Sequence, residues 1–146
     1  MTTTENKQLL QNVFAATAKG DGRPFVAVLA DDVAWTIIGS TPWSQTYRGK
    51  ATVLRELLGP LNAQLASRNT ITAHRFIAEG DQVVVEGQGP NTTKTGKQYN
   101  NRYCWVFRFS EGQVIELVEY TDTALIESAL QPPVVSQGRE QGAGEI

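Results

Sequence analysis

The chain has 146 residues, a hydrophobic share of 40% and a net charge of −2, which is typical of one soluble globular domain. Its 13 basic side chains are scattered, which argues against nucleic acids and anionic membranes as partners. The single cysteine, Cys104, excludes an internal disulfide and a cysteine-built zinc site. Without a basic leader or a long apolar stretch, the sequence predicts a cytoplasmic protein.

Three helices are predicted in the first half of the chain. Apolar side chains at helical spacing indicate the first from about residue 5 to 18, and Lys19-Gly20-Asp21-Gly22 ends it. Pro24 suits the first turn of the second helix. The third begins at about Lys50, and Gly59-Pro60 is expected to kink or interrupt it.

The remainder is mostly strand. A short β-rich segment at 33–38 precedes the third helix, and four longer strands are predicted at 70–78, 82–88, 98–109 and 113–121. Because the turns between the longer strands contain glycine, they are expected to form an antiparallel meander. The sequence thus predicts an α+β domain in which three N-terminal helices pack on a curved, mostly antiparallel sheet.

A short amphipathic helix is predicted from 122 to 130. The residues after it, 131–146, have the proline, glycine and glutamine content of a loosely held tail. The domain is therefore predicted to span residues 1–130.

Alternation along the strands indicates which side chains face the core. Aromatic side chains occupy the odd positions from Tyr103 to Phe109, so this set is predicted to point inward. In the last strand, the inward set is predicted to be Ile115, Leu117, Glu119 and Thr121. In the strand at 82–88, it is predicted to be Val84, Glu86 and Gln88. Glu86 and Glu119 would then face one enclosed space.

A carboxylate on an apolar face is unfavourable unless it is paired or hydrogen-bonded, so these two glutamates need an explanation. They could reach water at the open end of the sheet, or bind Arg75 or Arg102. They could instead line a cavity, where burial and mutual repulsion raise a pKa and produce a general acid and base.

His74 is the only histidine, and no Gly-x-Ser-x-Gly turn is present, which disfavours acyl transfer. A hydrogen-bonded structural role for His74 is favoured over a catalytic one. No glycine-rich phosphate loop or set of metal ligands is recognisable, so neither cofactor nor metal is predicted. The outer sheet face suits a homodimer contact, and its apolar members are Cys104, Val106, Val118 and Tyr120.

Five stretches together carry a family resemblance: Lys19-Gly20-Asp21, the run from Leu29 to Trp35, Tyr47 to Ala51, Ala78 to Glu86, and Tyr103 to Asp122. Their order resembles the SnoaL-like, ketosteroid isomerase-related branch of the nuclear transport factor 2-like (NTF2-like) superfamily over about residues 6–128. The resemblance implies a cone-shaped domain enclosing an apolar pocket for a small molecule. Its members include isomerases, dehydratases, polyketide cyclases, epoxide hydrolases and non-catalytic binders, and a fold alone does not choose among them.

Ketosteroid isomerases carry a tyrosine, an aspartate base and a second acid at positions that match Phe14, Thr36 or Ile37, and Trp105 of this chain. None of these side chains can fill the corresponding acid or base role, so the resemblance disfavours steroid isomerisation.

Limonene epoxide hydrolases surround a water with an arginine and two aspartates, and the nearest positions here are Glu86, Gln88 and Glu119. Trp35 stands where that family has a tyrosine. Polyketide cyclases use an acidic residue near the end of the last strand, which Asp122 or Glu119 could supply. The cyclases are therefore the closest match.

Two functions remain open. One is a cofactor-independent acid/base enzyme for a small, largely apolar carbonyl or epoxide compound, and the other is a domain that binds a hydrophobic molecule without turnover. In the enzyme, Glu119 would be the base, Glu86 or Asp122 its partner, and Tyr103 with Asn101 would hold an oxyanion. The predicted substrate-binding residues are Phe14, Trp35, Ile37, Trp43, Tyr47, His74, Gln88, Trp105, Phe107 and Leu117.

Overall fold

The computed structural model describes residues 1–134 of the chain. Helix α1 begins with a capping box, in which Thr2 and Glu5 each accept a hydrogen bond from the other's backbone N–H. Pro24 lies in the first turn of α2, as predicted. The helical elements are α1 (Thr3–Thr17), α2 (Arg23–Val28), α3 (Lys50–Thr52), the π-helix π1 (Val53–Leu58), α4 (Gly59–Gln64) and α5 (Thr123–Ala129).

The predicted interruption at Gly59-Pro60 takes the form of the π-helix. The backbone N–H of Gly59 donates to the carbonyl of Leu54, five residues earlier. Pro60 has no N–H to donate and its ring crowds the preceding turn, which favours this wider winding. A Cβ atom on Gly59 would lie 2.9 Å from the Leu54 oxygen. The third predicted helix therefore consists of three successive segments, α3, π1 and α4.

Six strands form one sheet in the order β2-β1-β6-β5-β4-β3. Its only parallel pair is β1 with β6, so the mostly antiparallel prediction is confirmed for the described residues. The strands are β1 (Leu29–Ile37), β2 (Thr46–Arg48), β3 (Thr72–Glu79), β4 (Gln82–Thr92), β5 (Gln98–Ser110) and β6 (Gln113–Thr121).

Glycine allows β3 to approach β4 closely. A Cβ atom on Gly87 would lie only 2.6 Å from the carbonyl oxygen of Thr72, so no other residue fits there without a backbone shift. The pairing of β3 with β4 also slips between Ala73 and Arg75. A bulge of this kind bends its strand and increases the local twist.

The helices cover the inner face of the sheet, and aromatic rings fill the space between them. Phe14 of α1 lies 5.2 to 6.1 Å, centroid to centroid, from the rings of Phe25, Phe76, Trp105 and Phe107. The predicted α+β arrangement of helices on one face is thus confirmed. None of the helices in residues 1–134 is both long and apolar enough to cross a lipid bilayer.

The predicted inner face of β4 is wrong by one residue. Val85 pairs with Trp105 and Gly87 pairs with Tyr103, so the odd positions of β4 share the inner face with the aromatic stripe. Glu86 is opposite Cys104 on the outer face. Valine occupies positions 83, 84 and 85 in succession, so the sequence gives no clear alternation there, and strand pairing decides the face.

The predicted inner face of β6 is wrong at its first residue, because β6 has a bulge. The register with β5 shifts between Arg108 and Phe109, and Val114 is buried in place of the predicted Ile115. Beyond the shift, Leu117 and Glu119 are both buried on the inner face, as the alternation predicted.

The first residue of the predicted tail is held by the domain. The backbone carbonyl of Gln131 accepts hydrogen bonds from the Trp43 indole and the Gln64 amide, both at 3.0 Å. Its backbone N–H donates to the Gln64 side chain at 2.9 Å. Residues 135–146 of the predicted tail lie outside the described residues.

Candidate functional site

A cavity of about 1170 Å³ lies between the helices and the inner face of the sheet. Its deep end is formed by the central strands, because β6 is hydrogen-bonded between β1 and β5. The sheet contributes Trp35, Tyr99, Tyr103, Trp105 and Glu119 to the lining. The helices and the segment after α4 contribute apolar side chains, among them Phe14, Phe25, Leu57, Leu61 and Leu65. The deep end is therefore an apolar chamber with a few polar groups, as in many small-molecule sites.

Glu119 is the buried carboxylate of this chamber, with 7% of its surface exposed. The strand register sets it beside Ile37 of β1 and Trp105 of β5. Its Oε1 accepts hydrogen bonds from the indole Nε1 atoms of Trp35 and Trp105, each at 3.2 Å. No donor within residues 1–134 contacts Oε2, so that oxygen is available to a molecule in the cavity.

Burial raises the pKa of Glu119 from its ordinary 4.5 to about 7. The hydrogen bonds from Trp105 and Trp35 act in the opposite direction, because they favour the charged form. Desolvation prevails, so both protonation states of the carboxyl group are populated near neutral pH. A group of this kind can take up a proton and return it.

Two tyrosines of β5 lie beside this carboxylate. The ring of Tyr103 stacks on Trp105, with centroids 4.6 Å apart and planes 9° from parallel. Burial raises the pKa of Tyr99 to about 12 and that of Tyr103 well above its ordinary value, and the charge of Glu119 contributes to both shifts. Both hydroxyl groups therefore keep their protons at neutral pH and can donate hydrogen bonds.

Asn101 lies between these tyrosines in sequence but does not line the cavity. Its fully buried amide donates to the Tyr99 hydroxyl and to the backbone carbonyl of Asp122, both at 3.3 Å. Its Oδ1 accepts from the backbone N–H groups of Arg102 and Asp122. The amide thus fixes the position of Tyr99 and the end of β6, and the predicted oxyanion contact is wrong because its hydrogen-bonding groups are already engaged.

The second predicted carboxylate, Glu86, is on the other side of the sheet. It forms an ion pair with Arg75 at 2.7 Å and has 37% of its side chain exposed. The predicted meeting of Glu86 with Glu119 in one cavity is therefore wrong. The alternative interpretation, a surface ion pair with Arg75, describes Glu86 correctly.

Three other candidates share an outer groove of about 620 Å³ with Glu86 and lie outside the inner cavity. His74 is exposed and Gln88 is half-buried, both on the outer side of the sheet. Asp122 caps helix α5, since its Oδ1 accepts from the backbone N–H of Leu125 at 3.2 Å. Their predicted roles in the inner pocket are wrong because each belongs to the opposite face or to a helix cap.

Five of the predicted pocket residues are buried in the hydrophobic core, outside the cavity lining: Ile37, Trp43, Tyr47, Phe107 and Leu117. The Tyr47 hydroxyl donates to the backbone carbonyl of Trp43 at 2.7 Å, which secures the loop between β1 and β2. The predicted residues that do meet at the cavity are Phe14, Trp35, Tyr103, Trp105 and Glu119.

The structure adds Tyr99 to the site residues that were predicted from the sequence. The signal was present, because Tyr99 belongs to the same odd-numbered set as Tyr103 and Trp105. Within residues 1–134, no three histidine, cysteine, aspartate or glutamate side chains come together as metal ligands would.

Comparison with known proteins identifies the family and supports the fold. A family model described as the SnoaL-like domain matches residues 10–117. An NTF2-like protein from Burkholderia xenovorans LB400 is 28% identical, and its structure superimposes with a TM-score of 0.69 over 90% of this chain and 99% of that chain. An NTF2-like protein of unknown function from Burkholderia pseudomallei K96243 is 26% identical, with a TM-score of 0.72 over 84% and 95% of the two chains.

A protein from Jannaschia sp. CCS1, provisionally named a SnoaL-like polyketide cyclase, shares the fold at 17% identity, with a TM-score of 0.72 over 90% of this chain and 95% of that chain. A sequence search of curated proteins found no match. Since the SnoaL-like model spans most of the described chain and the solved structures share its cone fold, the chain belongs to the SnoaL-like domain family of the NTF2-like superfamily.

Proposed function

We propose that this protein is a cofactor-independent acid/base enzyme that moves a proton next to the carbonyl group of a small, largely apolar compound. The observation that carries the proposal is the state of Glu119, a buried carboxyl group with a pKa of about 7 and one unengaged oxygen at the cavity. A general base is most effective when its pKa lies near the working pH. Isomerases, cyclases and dehydratases all need such a step.

In the proposed reaction, Oε2 of Glu119 removes a proton from the carbon next to the carbonyl. The electrons of the broken C–H bond form a carbon–carbon double bond, and the carbonyl π electrons move to oxygen. The hydroxyl of Tyr103 or Tyr99 donates a hydrogen bond to the resulting enolate oxygen. In a substrate with a carbon–carbon double bond one position further from the carbonyl, the enolate is conjugated with that bond. When the carbonyl re-forms, the double bond moves next to it, the far carbon takes the proton from Glu119, and the carboxylate is restored.

The two indoles have a defined part in this proposal. Both donate to Oε1, so they orient the carboxyl group and leave Oε2 directed to the substrate. They also favour the charged form of Glu119 and so keep its pKa from rising further. Trp35 and Trp105 would therefore tune and position the base, and would not exchange a proton themselves.

Carbonyl chemistry is favoured over epoxide opening by the composition of the deep end. The epoxide assignment used Glu86, Gln88 and Glu119 together, and only Glu119 lines the cavity. One base and two phenolic donors suit enolisation, whereas epoxide hydrolysis needs a water held by several polar side chains.

The proposal can be tested with 2-tetralone, an apolar ketone whose hydrogens next to the carbonyl exchange with D₂O. The protein is expected to accelerate this exchange, as followed by proton NMR. Glu119→Gln should abolish the acceleration, because an amide takes up no proton. Glu116→Gln is the matched control, since Glu116 lies on the same strand but faces outward, in an ion pair with Arg108. Equal exchange by the wild type and Glu119→Gln would refute the proposal.

The competing function is a domain that binds a hydrophobic molecule without turnover. Its support is that the predicted acid/base partner, Glu86, lies outside the cavity, so within residues 1–134 no second carboxylate joins Glu119 at the deep end. Under this alternative, Glu119 and the tyrosines only orient the ligand. Binding of an apolar ketone without any accelerated exchange, across neutral pH, would favour the binding domain over the enzyme.

A further inference from the structure

The cavity has a polar mouth that differs chemically from its deep end. The polar and charged residues of the mouth come mainly from two segments, the turn at 20–23 between α1 and α2 and the segment 66–69 that follows α4. Ala27 and Leu54 add exposed apolar side chains to the lining. The deep end, in contrast, consists of buried aromatic and aliphatic side chains around Glu119. A ligand that fills the cavity must therefore present one end to the mouth and the other to the carboxyl group.

Arg68 packs against Gly20 of the α1–α2 turn, at the mouth of the cavity. A Cβ atom on Gly20 would lie 3.2 Å from the Cβ and 3.5 Å from the Cδ of Arg68, so the arginine stem packs on the glycine backbone. Gly20 also has a φ of +81°, which disfavours other residues. The stem of Arg68 thus has a defined place beside the α1–α2 turn.

The mouth has two arginines and one carboxylate, so one positive charge is in excess. Arg23 is the main cause of the lowered pKa of Asp21, and the charge of Arg68 contributes to it. Asp21 is engaged by Arg23 through two side-chain hydrogen bonds of 2.9 and 3.0 Å. Arg23 and Arg68 are the basic residues of the lining and Asp21 is the acidic residue of the mouth. Within residues 1–134, the guanidinium of Arg68 forms no ion pair and no hydrogen bond to another side chain.

We infer that the ligand is an amphipathic anion, whose carboxylate or comparable acidic group binds Arg68 at the mouth while its apolar body occupies the chamber. The inference rests on the proposed function in taking the carbonyl end to lie at Glu119. The two charged ends act together, because an ionised Glu119 repels an acidic group from the deep end and Arg68 attracts it at the mouth. The charges therefore fix the direction in which the ligand enters.

Two fluorescent probes with one shared scaffold separate the charge from the apolar body. 1-Anilinonaphthalene-8-sulfonate carries an anionic group, and N-phenyl-1-naphthylamine lacks it. Arg68→Gln is expected to weaken binding of the sulfonate about three- to tenfold, the range for losing a charge-assisted contact at a partly exposed site. Binding of the neutral probe should change less than twofold. Arg48→Gln, which alters an exposed arginine outside the cavity, should change neither.

Added salt should weaken sulfonate binding to the wild type and leave binding to Arg68→Gln nearly unchanged, because screening acts on the same contact. The inference is overturned if Arg68→Gln binds the sulfonate as well as the wild type does, if both probes weaken equally, or if the wild type binds no sulfonate. The titrations involve no turnover, so they are independent of the exchange assay. If the wild type does not accelerate exchange but still binds the anionic probe through Arg68, the proposed enzymatic activity is refuted and the inference of an anionic ligand stands.

Discussion

Replacing Glu119 by glutamine should stabilise the protein at alkaline pH and have little effect at acidic pH. The reason is that the folded protein holds this carboxyl group at a pKa of about 7, whereas an exposed glutamate in the unfolded chain has its ordinary value of 4.5. Below pH 4.5 the carboxyl group is protonated in both the folded and the unfolded protein, so folding does not have to bury a charge. As the pH rises from 4.5 to 7, the unfolded chain ionises first, so the stability contributed by the protonated form is progressively lost.

The size of this effect follows from the difference between the two pKa values. Each pKa unit corresponds to about 1.4 kcal/mol, so the free energy of unfolding of the wild type should fall by about 3 kcal/mol between pH 4 and pH 8 through this group alone. Glutamine has no such transition. Its carbonyl oxygen can still accept from Trp35 and Trp105, so the indoles keep their partner. Glu119→Gln should thus gain about 3 kcal/mol relative to the wild type over this range.

The assay is urea unfolding of the wild type and Glu119→Gln at half-unit intervals from pH 4 to pH 8.5. Other titrating groups are common to both proteins, so the difference between their free energies of unfolding isolates Glu119. Glu116→Gln serves as a control and should show no comparable rise, because Glu116 is a surface residue. A difference that stays flat with pH, or that falls as the pH rises, would refute the argument that Glu119 is buried with a raised pKa.

Two further predictions concern the indole contacts and the outer sheet face. Trp105→Phe removes one hydrogen-bond donor to Glu119 and should raise the pKa of that carboxyl group by about one unit, as measured by carbon NMR titration of labelled glutamate. Trp43→Phe is the control and should leave this pKa unchanged, because the Trp43 indole donates to Gln131. An unchanged pKa in Trp105→Phe would contradict the prediction. We also propose that the chain dimerises through the outer face, where 48% of Tyr120 is exposed and the Val106–Val118 pair separates it from the ion pair of Arg108 with Glu116. Sedimentation should give twice the 16.0 kDa chain mass, and Tyr120→Glu should give a monomer. A monomeric wild type at high concentration would contradict this proposal.

Local sequence patterns determined the elements and much of the inner face. Helical spacing, Pro24 and the glycine turns located the helices and the four longer strands, but β2 was not predicted and β4 extends four residues beyond its predicted end. The aromatic alternation of β5 correctly directed Tyr103 and Trp105 inward. These features could be predicted because period and turn chemistry act between residues close in the chain. The same alternation, extended back from Tyr103 by four residues, would also have identified Tyr99.

Only the tertiary structure decided which residues share the cavity. The register of β4 against β5 turned Glu86 outward, and the bulge in β6 brought Val114 rather than Ile115 inward. A strand's two faces differ by a single residue of register, and hydrogen bonds to a neighbour distant in sequence set that register. Likewise, the raised pKa of Glu119 comes from burial beneath helices and from indoles on two other strands, so no segment of sequence contains it.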